Sequence, residues 1–209
     1  MRKILLVFFL IAAFHGESFS QDGLFQFSKS YFRSDPFAGN FSDFIKHLLN
    51  DPAIQNKQVL HRTDTSLFYF FGAYKNYNPF FFKPRYIEVR LLESPIQYAD
   101  SLPTDTILIY QLTAYAEPGD VGKQEVKKEF EKIHRQINKR FYTSSYKELK
   151  TGTTITGGVH NYFVGFASLA PVSVLWAVLD ETNEPVLNII LRMKSSNNQA
   201  VLATSLDNP

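Results

Sequence analysis

The chain has no cysteine and only one tryptophan and two methionines among its 209 residues. Without thiols it has no disulfide, no thiolate metal site and no cysteine nucleophile. A membrane-spanning helix takes about 20 apolar residues, and the apolar stretch from Leu5 to Phe14 is too short for one. Charge of one sign is also missing. Twenty-two Lys and Arg stand against 20 Asp and Glu, so no strong field points to nucleic acid or an anionic membrane.

Motifs that carry chemistry are absent as well. No histidine lies in an H-E-x-x-H pattern, and no serine in G-x-S-x-G. The Gly/Thr-rich segment at 151–158 lacks the lysine of a phosphate-binding loop. Glu88, Glu93 and Asp180 are carboxylates that a sheet would have to bring together for glycoside chemistry. His134 sits among charged residues and reads as solvated. His160, just after Gly157-Gly158 and beside Asn161, is the one histidine at a bend able to aim a base, and it is the candidate catalytic residue. No metal site and no cofactor is expected.

What the chain does have begins at its N-terminus. Arg2 and Lys3 precede the apolar run, and Ser18 and Ser20 put small residues before Gln21. This is the pattern of a secretory signal peptide over residues 1–20. The expectation is a secreted or periplasmic protein with no stable transmembrane segment in its mature form. Residues 21–36 read as a flexible lead-in, and 37–209 as a single domain, long enough for a substantial core. Asn40 opens both a glycosylation sequon and a plausible helix cap.

Phe41, Phe44, Ile45, Leu48 and Leu49 follow at helical spacing, and Asp51-Pro52 stops that helix or starts another. Ile87, Val89 and Leu91 alternate with Glu88 and Arg90, the pattern of a strand with one wetter face. The segment from Thr106 to Tyr115 is apolar on both faces and reads as a central strand. Val126, Phe130, Ile133, Ile137 and Phe141 form one apolar stripe on a long helix with a charged back. A loop is expected from Tyr142 to Gly152, then further strands, with a last short one from Ala200 to Thr204. The fold class is α+β: a curved antiparallel sheet of about six to seven strands packed on one long amphipathic helix and a shorter N-terminal helix.

The compositional extreme lies between Phe68 and Pro84, where more than half the residues are aromatic. Alternation cannot put Phe68, Tyr69, Phe70 and Phe71 on one face, so the strand carries rings on both sides and reads as core. The turn that follows holds Tyr74, Asn76, Tyr77, Asn78, Phe80 and Phe81, flat rings beside amide groups. Such residues suit a protein, peptide or glycan partner, and the Phe run beside Lys83 equally suits a membrane surface. The functional expectation is an exported, non-enzymatic binding module using this turn. The alternatives are a hydrolase using His160 and a structural component of an envelope assembly.

Overall fold

The computed structural model describes residues 23–37, 41–61, 68–96, 105–138, 143–163 and 169–194. Helix α1 covers residues 23–31 and α2 spans Phe41–Asn50. Four strands follow: β1 (Ile54–His61), β2 (Phe68–Tyr74), β3 (Tyr86–Ile96) and β4 (Asp105–Tyr115). Helix α3 (Asp120–Ile137) leads to β5 (Thr143–Thr151), β6 (Thr154–Phe163), β7 (Val172–Val178) and β8 (Pro185–Lys194). The class is α+β, with a single antiparallel sheet. Among the described residues it has eight strands rather than six or seven, in the order β1-β2-β3-β4-β8-β7-β6-β5.

Both additional strands have a physical explanation. After Pro52 the chain turns instead of starting a helix: the Asp51 carboxylate accepts from the Ala53 N–H at 2.9 Å, and β1 begins at Ile54. The expected loop near Tyr142 to Gly152 is mostly strand β5. This strand is an exposed edge, with only Leu149 half-buried. Its backbone ladder with β6 holds it, so it shows no alternation of apolar and polar residues. The Gly157-Gly158 signal marks a bulge: Leu149 pairs with Gly157 and Lys150 with Ile155, leaving Thr156 as the extra residue.

β3 and β4 pair along their whole length, from Tyr86↔Tyr115 to Ile96↔Asp105. β4 then pairs with β8, from Ile107↔Lys194 to Tyr115↔Val186. A helix followed by a four-stranded meander therefore occurs twice, and the two meanders join along β4 and β8. β4 lies at the centre and is apolar on both faces for that reason. Leu108, Tyr110, Leu112 and Ala114 are buried on one side, Ile107, Thr113 and Tyr115 on the other.

One hydrophobic cluster joins Phe70, Val89, Leu91, Tyr110, Val174, Trp176 and Ile189 of the sheet to Val126, Phe130, Ile133 and Ile137 of α3. It also includes Leu24, Phe27 and Tyr31, from the stretch expected to be a lead-in, and Phe44 and Leu48 of α2. Among the strands, α3 lies mainly against β7 and β8. The helix ends with the Asn138 N–H donating to His134 O. Phe141, the last expected stripe residue, lies outside the described residues, as do residues 1–20, Asn40 and the expected strand at 200–204. No helix among the described residues is long and apolar enough to cross a membrane.

Candidate functional site

The β2–β3 connection separates its own aromatic residues. Tyr74, Phe80 and Phe82 are buried in the shared core. Tyr77 is half-buried with its ring 4.8 Å from that of Tyr74, and its hydroxyl donates to Tyr31 O at 3.0 Å. Asn76 takes a left-handed backbone (φ 60°), which asparagine tolerates better than most residues. Asn78 is exposed yet structural: its Oδ1 accepts from the Phe80 N–H and its Nδ2 donates to Phe82 O, both at 2.9 Å. This side chain replaces a backbone turn.

Phe81 is left outside, 82 % exposed between two buried neighbours. Its N–H donates to Glu129 Oε2 at 3.3 Å. Glu129 is a buried residue of α3 whose other oxygen accepts from Lys132 Nζ at 3.3 Å. The same ammonium sits over the Phe81 ring. Of the six turn residues singled out in the sequence, the fold thus brings Tyr74, Tyr77 and Phe80 into packing, uses Asn76 and Asn78 to shape the turn, and displays Phe81. Nothing local to the sequence identifies Phe81 as the displayed ring, because Glu129 and Lys132 come from a helix some fifty positions away.

His160 lies on β6 and is buried, 9 % exposed. Its ring stacks on His134 of α3 with centroids 3.8 Å apart and planes 8° from parallel. Phe130 and Tyr146 lie 4.9 and 4.8 Å from it. His134 is accordingly not fully solvated, as expected from its charged neighbours, but half-buried, with Nδ1 3.0 Å from the Tyr162 hydroxyl. The signal was present: His134 stands four positions after Phe130, on the border of the apolar stripe. Burial first, and the neighbouring His134 charge second, pull the His160 pKa down from 6.5 to about 4. The ring is therefore neutral at pH 7 and a weak base. No carboxylate among the described residues hydrogen-bonds to it.

The depressed pKa gives a prediction. The unfolded chain binds a proton at His160 below about pH 6.5, whereas the folded chain does so only near pH 4. Stability contributed by the neutral ring is thus complete above pH 6.5 and is lost as pH falls toward 4. Allowing for partial solvation, the expected loss is about 1–2 kcal/mol. Urea midpoints measured from pH 7 to pH 4 should fall less in His160→Phe than in the parent protein. Equal slopes in the two proteins would remove His160 from the acid response.

The remaining candidates are apart. Glu88 and Glu93, five positions apart on β3, point to opposite faces of the sheet. The Glu88 carboxylate is taken by Arg90 Nη2 at 2.7 Å and the Tyr115 hydroxyl at 2.9 Å. Asp180 lies in the β7–β8 turn and lines a cleft of about 240 Å³ with Asp120, Lys123 and Ile155. His47 is exposed on α2, and the side chain of His61 lies outside the described residues. Among the described residues no three metal-ligating groups come together. No protein-family model, no curated protein and no solved structure matches this chain.

Proposed function

We propose that this protein is an exported, non-enzymatic binding or interaction module whose contact surface is the turn from Tyr74 to Phe82, centred on Phe81. The observation that carries the reading is the rigid display of one large apolar ring. Phe81 is 82 % exposed in a turn held by Asn78 on one side and by the buried Glu129 on the other. A pre-ordered aromatic anchor lowers the entropic cost of association, and interface energy concentrates in a few such anchors. Lys132, paired with Glu129, lies over the ring, and the partner is a protein, peptide or glycan surface that accepts this ring. In this reading the sheet curves over α3 and the N-terminal helices, and residues 1–20 are removed on export. The hydrolase reading is weaker, because the neutral, stacked His160 has no acidic partner among the described residues.

The test uses protein purified from its native envelope, which should begin at or near Gln21. Phe81→Ala is expected to reduce partner or glycan capture at least about tenfold, as for other central aromatic anchors. Its melting temperature should stay close to the parent value, because an exposed side chain contributes little to folding. Phe82→Ala should instead unfold more easily. Undiminished capture by the Phe81→Ala protein, or a native protein with residues 1–20 intact, would count against the corresponding half of the proposal.

A further inference from the structure

The sheet face opposite the helices carries a cation without a counter-charge among the described residues. Arg192 is on β8, and alternation places Asn188, Ile190 and Arg192 on this face, since Leu187, Ile189 and Leu191 belong to the core. Of its five N–H donors, only those of Nη1 are engaged by the described residues, with Ala170 O at 3.0 Å and Ser173 Oγ at 2.7 Å. Both acceptors are neutral. Arg33, Arg85 and Arg90 each reach a carboxylate: Asp51, Glu184 and Glu88. Arg192 reaches none among the described residues, although it is only half-exposed and burial lowers its pKa.

The surroundings are polar and pre-ordered. Ser173, 1 % exposed, accepts from Arg192, and its own O–H donates to Asn161 Oδ1 at 2.7 Å. Ile190 lies between Ser173 on β7 and Gln111 on β4 in the same cross-strand row. Two positions before Ile190, the Asn188 Oδ1 is buried without a hydrogen-bond partner among the described residues. Leaving a buried polar atom unpaired costs free energy, and an uncompensated buried cation costs more. Both deficits fall on one face, either side of a half-buried apolar residue.

We infer that this face binds a small organic carboxylate, its anionic head on the Arg192 guanidinium and its apolar body across Ile190. The planar fork of arginine suits a carboxylate, which takes two parallel N–H bonds, and a single positive charge matches a monoanion. A ligand carrying an N–H or O–H donor at its far end would also satisfy Asn188. This site is separate from Phe81 and stands or falls independently of the partner-binding reading.

The experiment titrates the mature full-length protein with straight-chain monocarboxylates from acetate to octanoate, with the matching primary alcohols and with inorganic phosphate. Binding is read by calorimetry and by the Arg192 Nε–H resonance. Affinity should rise with chain length for the acids, and the alcohols and phosphate should bind at least about tenfold more weakly. Arg192→Met should lose at least about tenfold in acid affinity while keeping or raising the melting temperature, because it removes a partly buried charge that no described carboxylate pairs. Arg192→Lys should retain part of the affinity. No saturable acid binding by the parent protein, or equal binding by Arg192→Met, overturns the proposal. So does acid binding that leaves the Arg192 resonance unmoved.

Discussion

Replacing Ile133 by Asp should cost about 4–5 kcal/mol, a large share of the 5–15 kcal/mol that holds a domain of this kind together. Ile133 is 0 % exposed and lies between Phe130 and Ile137 in the stripe that joins α3 to the sheet. The substitution removes the buried methyl groups, worth about 2–5 kcal/mol with the cavity they leave. It also forces a carboxyl group into surroundings without a partner, where it must either stay charged at high cost or bind a proton. Helix propensity differs by only a few tenths of a kcal/mol between the two residues and does not alter the outcome. Urea unfolding should show a much lower midpoint, or the protein should fail to fold. Ile133→Val, costing about 0.5–1.5 kcal/mol, keeps the test informative in that event. An unchanged midpoint in Ile133→Asp would mean α3 is not docked through this stripe.

Gly122→Ala is the second large effect, and here two principles give opposite signs. Within a helix, alanine is favoured over glycine by about 1 kcal/mol. At this position, however, an added Cβ would lie 2.0 Å from the Glu117 carbonyl oxygen and 3.3 Å from the Ala116 Cβ. The nearest obstacle is backbone, which cannot rotate away as a side chain would. Gly119, with φ 98°, turns the chain into α3 in a conformation that glycine tolerates best. Overpacking of this type costs about 1–3 kcal/mol and sometimes more. An approach of 2.0 Å to a backbone oxygen puts the cost at the upper end of that range, about 3 kcal/mol, so after the propensity gain of about 1 kcal/mol is subtracted a net loss of about 2 kcal/mol is expected, read as a fall in melting temperature of about 4–8 °C for a domain of this size. A stabilised Gly122→Ala protein would show that the Glu117 carbonyl can move aside.

The regular part of the fold was legible where burial imposes a period on the residues. Ile87, Val89 and Leu91 announced β3, the two-sided apolar run announced the central β4, and Val126 to Ile137 announced α3. β5 was not legible, because an edge strand exposed on both faces has no pattern for burial to impose. β1 was hidden by Asp51-Pro52, which reads equally as a helix start and as the turn it forms. In residues 23–31 the apolar positions Leu24, Phe27 and Tyr31 are spaced three and four apart, but polar neighbours and the nearby Asp35-Pro36 outweighed that short signal. For the candidate site, composition singled out the turn proposed as the contact surface but could not rank its rings. Which Phe faces outward depends on hydrogen bonds from Asn78 and on Glu129, a contact between segments far apart in sequence. The arrangement around Arg192 depends on the pairing of β8 with both β4 and β7, which no local pattern specifies.

The seam between the two meanders has a consequence for how the chain folds. β1 to β4 and β5 to β8 each zip through neighbouring hairpins, whereas β4 meets β8 through partners more than 70 positions apart, such as Tyr115 and Val186. Loop-closure entropy makes that distant pairing the slow step. Until it forms, the first meander presents the bare, apolar edge of β4, a template for any β8 within reach. At high protein concentration that β8 can belong to another molecule, and the product would be an exchanged dimer in which each α3 carries its second meander across to the partner. Refolding by rapid dilution should therefore yield monomer at low concentration and a growing fraction of dimer as concentration rises. Each dimer would retain the β4–β8 ladder of the monomer, formed between two chains.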